Sequence, residues 1–82
     1  MIAPDQLQRL LTEGFTEASV AVTDLTGTRD HYQARIVSTD FEGRLPVARH
    51  RMVYAVLGEL MDEAIHALTL QTVTPAEDQA EG

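Results

Sequence analysis

Residues 19–25 read SVAVTDL and residues 31–38 read HYQARIVS. In the first, Val20 and Val22 alternate with Ala21 and Thr23. In the second, Tyr32, Ala34 and Ile36 face one way while His31, Gln33, Arg35 and Val37 face the other. A period of two over β-branched and aromatic residues predicts two strands. The five residues between them, Thr26-Gly27-Thr28-Arg29-Asp30, are turn-forming, so the pair is predicted to be an antiparallel hairpin.

Working outward, the N-terminal side predicts a helix. Pro4 suits a first helical turn, Asp5 sits favourably at its positive end, and Leu7, Leu10 and Leu11 fall on one face. Gly14 is expected to end it with positive φ, Phe15 packing back on the leucines. On the C-terminal side, residues 39–45 contain Asp40 and Gly43 and form a connection. Pro46 then opens a long helical pattern in which Val53, Val56, Leu57, Leu60, Met61 and Ala64 recur at i, i+3, i+4 spacing. That helix is expected to carry most of the core. A third strand is predicted over residues 65–73, and Thr74-Pro75-Ala76-Glu77 has the capping-box form, with room for about one further turn. The order helix, strand, strand, helix, strand packs economically as an α/β (α+β) domain with a three-stranded sheet and its helices on one face. If the strands flanking the long helix lie parallel, their crossover should be right-handed. Residues 1–77 are assigned to this domain and residues 78–82 to a short acidic tail.

Composition narrows the function. Eighty-two residues suffice for one small domain, whose burial on folding leaves stability marginal. The absence of cysteine removes disulfides, thiol nucleophiles, zinc fingers and any self-sufficient iron-sulfur site. Six arginines, no lysine and 13 carboxylates give a net charge of −7, which disfavours general affinity for nucleic acid. No apolar run approaches the ~18 residues of a membrane span, and the first residues, MIAPDQLQ, have no signal-peptide form; a cytoplasmic protein is expected. The chain has no nucleophile elbow, Gly-rich phosphate loop or His-Glu-x-x-His motif, so an enzyme is not expected.

The stretches Asp30-His31-Tyr32, Ile36-Val37-Ser38, Phe41-Glu42-Gly43, Arg49-His50-Arg51-Met52-Val53-Tyr54, Ile65-His66-Ala67-Leu68 and Thr74-Pro75-Ala76-Glu77 together resemble the BolA family, in order and over nearly the whole chain. The short hairpin loop and the lack of a cysteine-bearing tail are similar to its IbaG-like branch. The resemblance implies a class II KH-like fold and a non-enzymatic role as partner of monothiol glutaredoxins in iron-sulfur cluster trafficking or iron homeostasis. In such heterodimers a 2Fe-2S cluster is bridged between the glutaredoxin, with its cysteine and a glutathione thiol, and the BolA-like protein. Imidazole is the soft-enough donor a cysteine-free chain can offer.

The family's ligating histidine at the start of the last strand falls on His66. From the residues alone, His66 reads as a core histidine sharing a strand face with Leu68 and Leu70; the resemblance reverses that. The family usually takes a second ligand, cysteine or histidine, from the hairpin loop, but residues 26–30 contain neither. His31 matches a histidine the family carries at that strand end, and it reads equally well as a half-exposed strand residue. The carboxylates of Asp24 or Asp30 are poorer, harder alternatives. The isolated chain is expected to bind no stable cluster and to be a monomer or weak homodimer.

Arg44, Arg49, His50 and Arg51 form a dense positive patch in the first turns of the long helix, where the dipole disfavours cations. Three readings stand: contact with glutathione or an acidic partner face, phosphate contact by a KH-like transcriptional regulator, or a solvated face pairing with Glu42 or Asp40. A KH domain grips the backbone with a GXXG loop, whereas Gly43-Arg44-Leu45-Pro46 has one glycine, which leaves possible DNA binding weak.

Overall fold

The computed structural model describes residues 3–25, 31–58 and 67–81. Its elements are helix α1 (Pro4–Gly14), strands β1 (Ser19–Asp24) and β2 (His31–Val37), a 3-10 turn (Thr39–Phe41), helix α2 (Pro46–Leu57), strand β3 (Ala67–Val73) and helix α3 (Pro75–Glu81). The sheet order is β1-β2-β3. β1 pairs antiparallel with β2, Val20 opposite Ile36 and Val22 opposite Ala34, which is the expected hairpin. β2 pairs parallel with β3, Tyr32 opposite Leu68 and Ala34 opposite Leu70. The turn expected over residues 26–30 and the strand residues 65–66 lie outside the described residues.

The period of two places Tyr32, Ala34 and Ile36 in the core, all at 0% exposure, with Val20 beside them. α1 covers this face with Leu7 and Leu11, and α2 with Val53 and Leu57. Phe15 closes the end of α1 against Phe41, ring centroids 5.1 Å apart. Among the described residues the core is shared between β2, α1 and α2. α2 stops at Leu57 because Gly58 adopts φ 53°, ψ −125°, its N–H donating to Tyr54 O at 2.8 Å. A periodic apolar pattern gives no warning of a glycine that leaves helical geometry. Leu60, Met61 and Ala64 lie outside the described residues. Leu10, expected on the apolar face of α1, is 38% exposed.

Gly14 also differs from expectation. It is the last residue of α1 and does not have positive φ; a Cβ there would stand 2.6 Å from Val56 Cγ1. The glycine lets α1 and α2 approach. Beyond β2, Ser38 is fully buried, its Oγ donating to Thr16 O at 2.6 Å and accepting from Asp40 N at 3.1 Å, while Asp40 Oδ2 accepts from Thr16 N at 2.8 Å. This network ties the turn before β1 to the turn after β2.

After β3, Thr74 and Glu77 form the expected capping box: Glu77 Oε1 accepts from Thr74 N at 2.9 Å, and Thr74 Oγ1 from Glu77 N at 3.2 Å. The helix it opens runs on to Glu81 rather than stopping after a turn.

Candidate functional site

One end of the sheet carries His31 and Asp24, the two described residues among the sequence-predicted ligand candidates. Because β2 and β3 are parallel, their first residues lie side by side, and His31 is the register partner of Ala67. Asp24, the last residue of antiparallel β1, is opposite Tyr32, and Leu25 N donates to His31 O at 2.9 Å. His31 is half-buried in the outward row of β2, with Gln33 and Arg35. His66 lies outside the described residues, as does Asp30; the residue that follows His66 in the chain is Ala67. Among the described residues no three of His, Cys, Asp and Glu are grouped to hold a metal ion.

The predicted basic patch is split by the fold. Arg44 and Arg51 are exposed and His50 half-buried, but Arg49 turns inward and is only 9% exposed. Its Nε donates to Arg44 O at 2.8 Å and its Nη1 to Thr72 O at 3.0 Å. The same Nη1 donates to Glu77 Oε1 at 2.7 Å, and Nη2 to Glu77 Oε2 at 3.3 Å. Arg49 thus joins α2 to β3 and α3, and it pairs with Glu77 rather than with Glu42 or Asp40 across the turn. Hydrogen bonding from Arg49, then from Thr74, holds the Glu77 carboxyl below the ordinary glutamate range. The guanidinium faces inward because 49, 53 and 57 share one helical stripe with Val53 and Leu57; that spacing was the available signal, and a basic tripeptide obscured it.

A second arginine, Arg35, was not singled out by the sequence. From the outward row of β2 it donates to Asp78 Oδ1 at 2.7 Å and also pairs with Glu81. Those bonds, led by Asp78, raise its pKa further. α3 buries no residue of its own, so two arginines and its capping box hold it: Arg49 by Glu77, and Arg35 by Asp78 and Glu81. Leu45 at 77% and Val47 at 63% exposure add apolar surface at the start of α2.

Residues 11–77 match the family model described as BolA-like protein. The chain belongs to the BolA-like family. It is 43% identical to human BolA-like protein 1 over 51 residues, which are 62% of this chain and 37% of that relative, so it spans little more than a third of that protein's length. With the DNA-binding transcriptional regulator BolA of Haemophilus influenzae it shares 40% identity over 55 residues, 67% of this chain and 53% of the relative. The structure of a BolA homologue from Coxiella burnetii superposes with TM-score 0.83 and 32% identity, covering 96% of this chain and 99% of that one. The BolA-like α+β fold is thereby established. Its motif residues acquire structural meanings here: Ser38 and Phe41 build the buried turn after β2, and Arg49 and Glu77 form one linked pair. No helix among the described residues is long and apolar enough to cross a membrane.

Proposed function

We propose that this BolA-like chain is an adaptor or regulatory partner of a monothiol glutaredoxin, co-ligating a bridging 2Fe-2S cluster through His66, with His31 as second donor. The observation that supports it most is the parallel register that sets Ala67 against His31. In the Rieske-like reading both imidazoles serve one iron. The chain holds no cysteine, so the thiolates on the other iron come from the glutaredoxin and glutathione. The cluster would supply a redox-active, transferable iron centre; the chain's part is to present neutral imidazole at one end of a rigid sheet. Native mass spectrometry of the chain mixed with cluster-loaded monothiol glutaredoxin tests this. A 1:1 heterodimer retaining iron and sulfide is expected, and two unassociated proteins with the cluster left on a glutaredoxin homodimer would refute it.

The second reading, a nucleic-acid-binding regulator, is favoured by similarity to the Haemophilus protein. Its basic patch here reduces to Arg44, Arg51 and half-buried His50, since Arg49 is committed inside the fold.

A further inference from the structure

Helix α2 is apolar on two sides. Its inward stripe, Arg49, Val53 and Leu57, is the one the fold uses. Val47, Arg51 and Tyr54, at i, i+4 and i+7, share the opposite stripe, and all three are exposed, as are Ala55 and, just ahead of the helix, Arg44 and Leu45. Leu45 at 77% and Val47 at 63% are the most exposed large hydrophobic residues described. A helix that only had to cover a sheet would be polar on that side.

The charge on this side departs from the rest of the chain as well. Residues 43–58 hold three arginines, His50 and no carboxylate, in a chain with 13 carboxylates. Arg49 is paired with Glu77, and among the described residues neither Arg44 nor Arg51 is paired with a carboxylate. The positive end of the α2 dipole lies beside them. Apolar and aromatic side chains with arginine, and without carboxylates, are the composition of a protein interface.

The stripe also faces away from the ligand end. α2 packs on the sheet face that buries Tyr32, Ala34 and Ile36, whereas His31 belongs to the outward row of β2. Arg49, near the start of α2, reaches Thr72 O, and Thr72 lies about 16 Å along β3 from Ala67, the register partner of His31. A protein engaged at His31 leaves the stripe open.

We propose that this stripe docks an acidic amphipathic helix of a second protein, held at the same time as the glutaredoxin. A helix laid along α2 sets its apolar residues on Leu45, Val47 and Tyr54. Val47 and Tyr54 are two turns apart, so the incoming helix needs apolar residues at i and i+7, with a carboxylate at i+3 or i+4 to meet Arg51 and another near its end to meet Arg44. Elsewhere the net charge of −7 repels such a helix, which steers it to this seat. Duplex nucleic acid fits less well, because Leu45 and Val47 stand where a phosphate backbone needs donors. The docking rests on α2 alone; its coexistence with the glutaredoxin rests on the function proposed above.

Two synthetic helical peptides probe the seat by NMR titration of the 15N-labelled chain. Both carry leucine at i and i+7, one with glutamate and the other with lysine at i+3 and i+4. The acidic peptide should move the amide signals of residues 44–55 and leave those of residues 31–35 in place, and the lysine peptide should bind at least tenfold more weakly. Arg51→Glu and Val47→Glu, both at exposed positions, should each weaken the acidic peptide at least tenfold. Ala21→Glu with Thr23→Glu matches the charge change of Arg51→Glu on exposed sites of β1 and should alter binding much less. Circular dichroism confirms that each variant is folded. Absent or displaced signal changes, equal binding of the two peptides, or indifference to Arg51→Glu and Val47→Glu would overturn the proposal, and a DNA duplex that moves the same signals and displaces the peptide would assign the stripe to nucleic acid instead. Adding cluster-loaded glutaredoxin should leave the peptide bound; its displacement would make the glutaredoxin itself the occupant and overturn the second-protein assignment.

Discussion

Replacing Arg49 with alanine removes two bonds from a charged donor to backbone carbonyls, those of Arg44 and Thr72. Bonds of that kind contribute about 1.5 kcal/mol each at the lower end of their range, which sets the expected loss near 3 kcal/mol. The pairing with Glu77 is left out of that sum because its carboxylate is half in water. For a domain of this size, whose total stability is of the order of 5–15 kcal/mol, such a loss lowers Tm by roughly 12–24 °C. Urea denaturation followed by far-ultraviolet circular dichroism measures it. Arg51→Ala, an exposed neighbour two residues away, should stay within about 0.5 kcal/mol of the wild type. Arg49→Lys should fall between them, since one ammonium cannot reproduce the planar fork that reaches four acceptor atoms on three residues. If Arg49→Ala is as stable as Arg51→Ala, the internal role assigned to Arg49 is wrong.

Gly14→Ala gains about 1 kcal/mol of helix propensity but forces a methyl against Val56, an overpacking cost of about 1–3 kcal/mol. A net destabilisation of about 1 kcal/mol is expected, and a double-mutant cycle with Val56→Ala should show the two substitutions compensating each other. Glu77 has its folded pKa below the unfolded one, so its contribution is complete above the unfolded value and is lost as pH falls through the folded value. A carboxyl NMR titration should place the Glu77 midpoint below that of ordinary glutamates, with α3 amide signals shifting in the same acid range; a midpoint in the ordinary range contradicts the Arg49 pairing. Duplex DNA binding at near-physiological salt should be weak and non-specific, and Arg44→Ala with Arg51→Ala should weaken it alike for all sequences. Sequence-selective, sub-micromolar binding lost in that variant would promote the regulator reading.

The hairpin was legible because Val20, Tyr32, Ala34 and Ile36 are buried, and Val22 half-buried, on one side of the sheet, and a single buried face writes itself as a period of two. The capping box at Thr74 and Glu77 was legible because it is local. Arg49 was not: its partners lie 23 and 28 residues away, and adjacent basic residues read as surface unless helical phase is followed along Arg49, Val53 and Leu57. Likewise the hold of Arg35 on Asp78 and Glu81 depends on β3 lying parallel beside β2, which brings the start of α3 to the end of β2. Family resemblance pointed to His66 and His31; the parallel register sets Ala67 against His31, and His66 lies outside the described residues. The inward turn of Arg49 also decides how the basic patch is probed, because Arg49→Ala reports on folding whereas Arg44 and Arg51 report on binding.

The central claim is that imidazole from this chain completes a shared cluster, and visible circular dichroism of the mixture with cluster-loaded monothiol glutaredoxin tests it most directly. The wild type should convert the glutaredoxin spectrum into a new one of Rieske-like, histidine-ligated character. His66→Ala should abolish that conversion while leaving the far-ultraviolet spectrum of the chain unchanged, and His31→Ala should reduce it. A His66→Ala variant that yields the full wild-type spectrum would contradict the account.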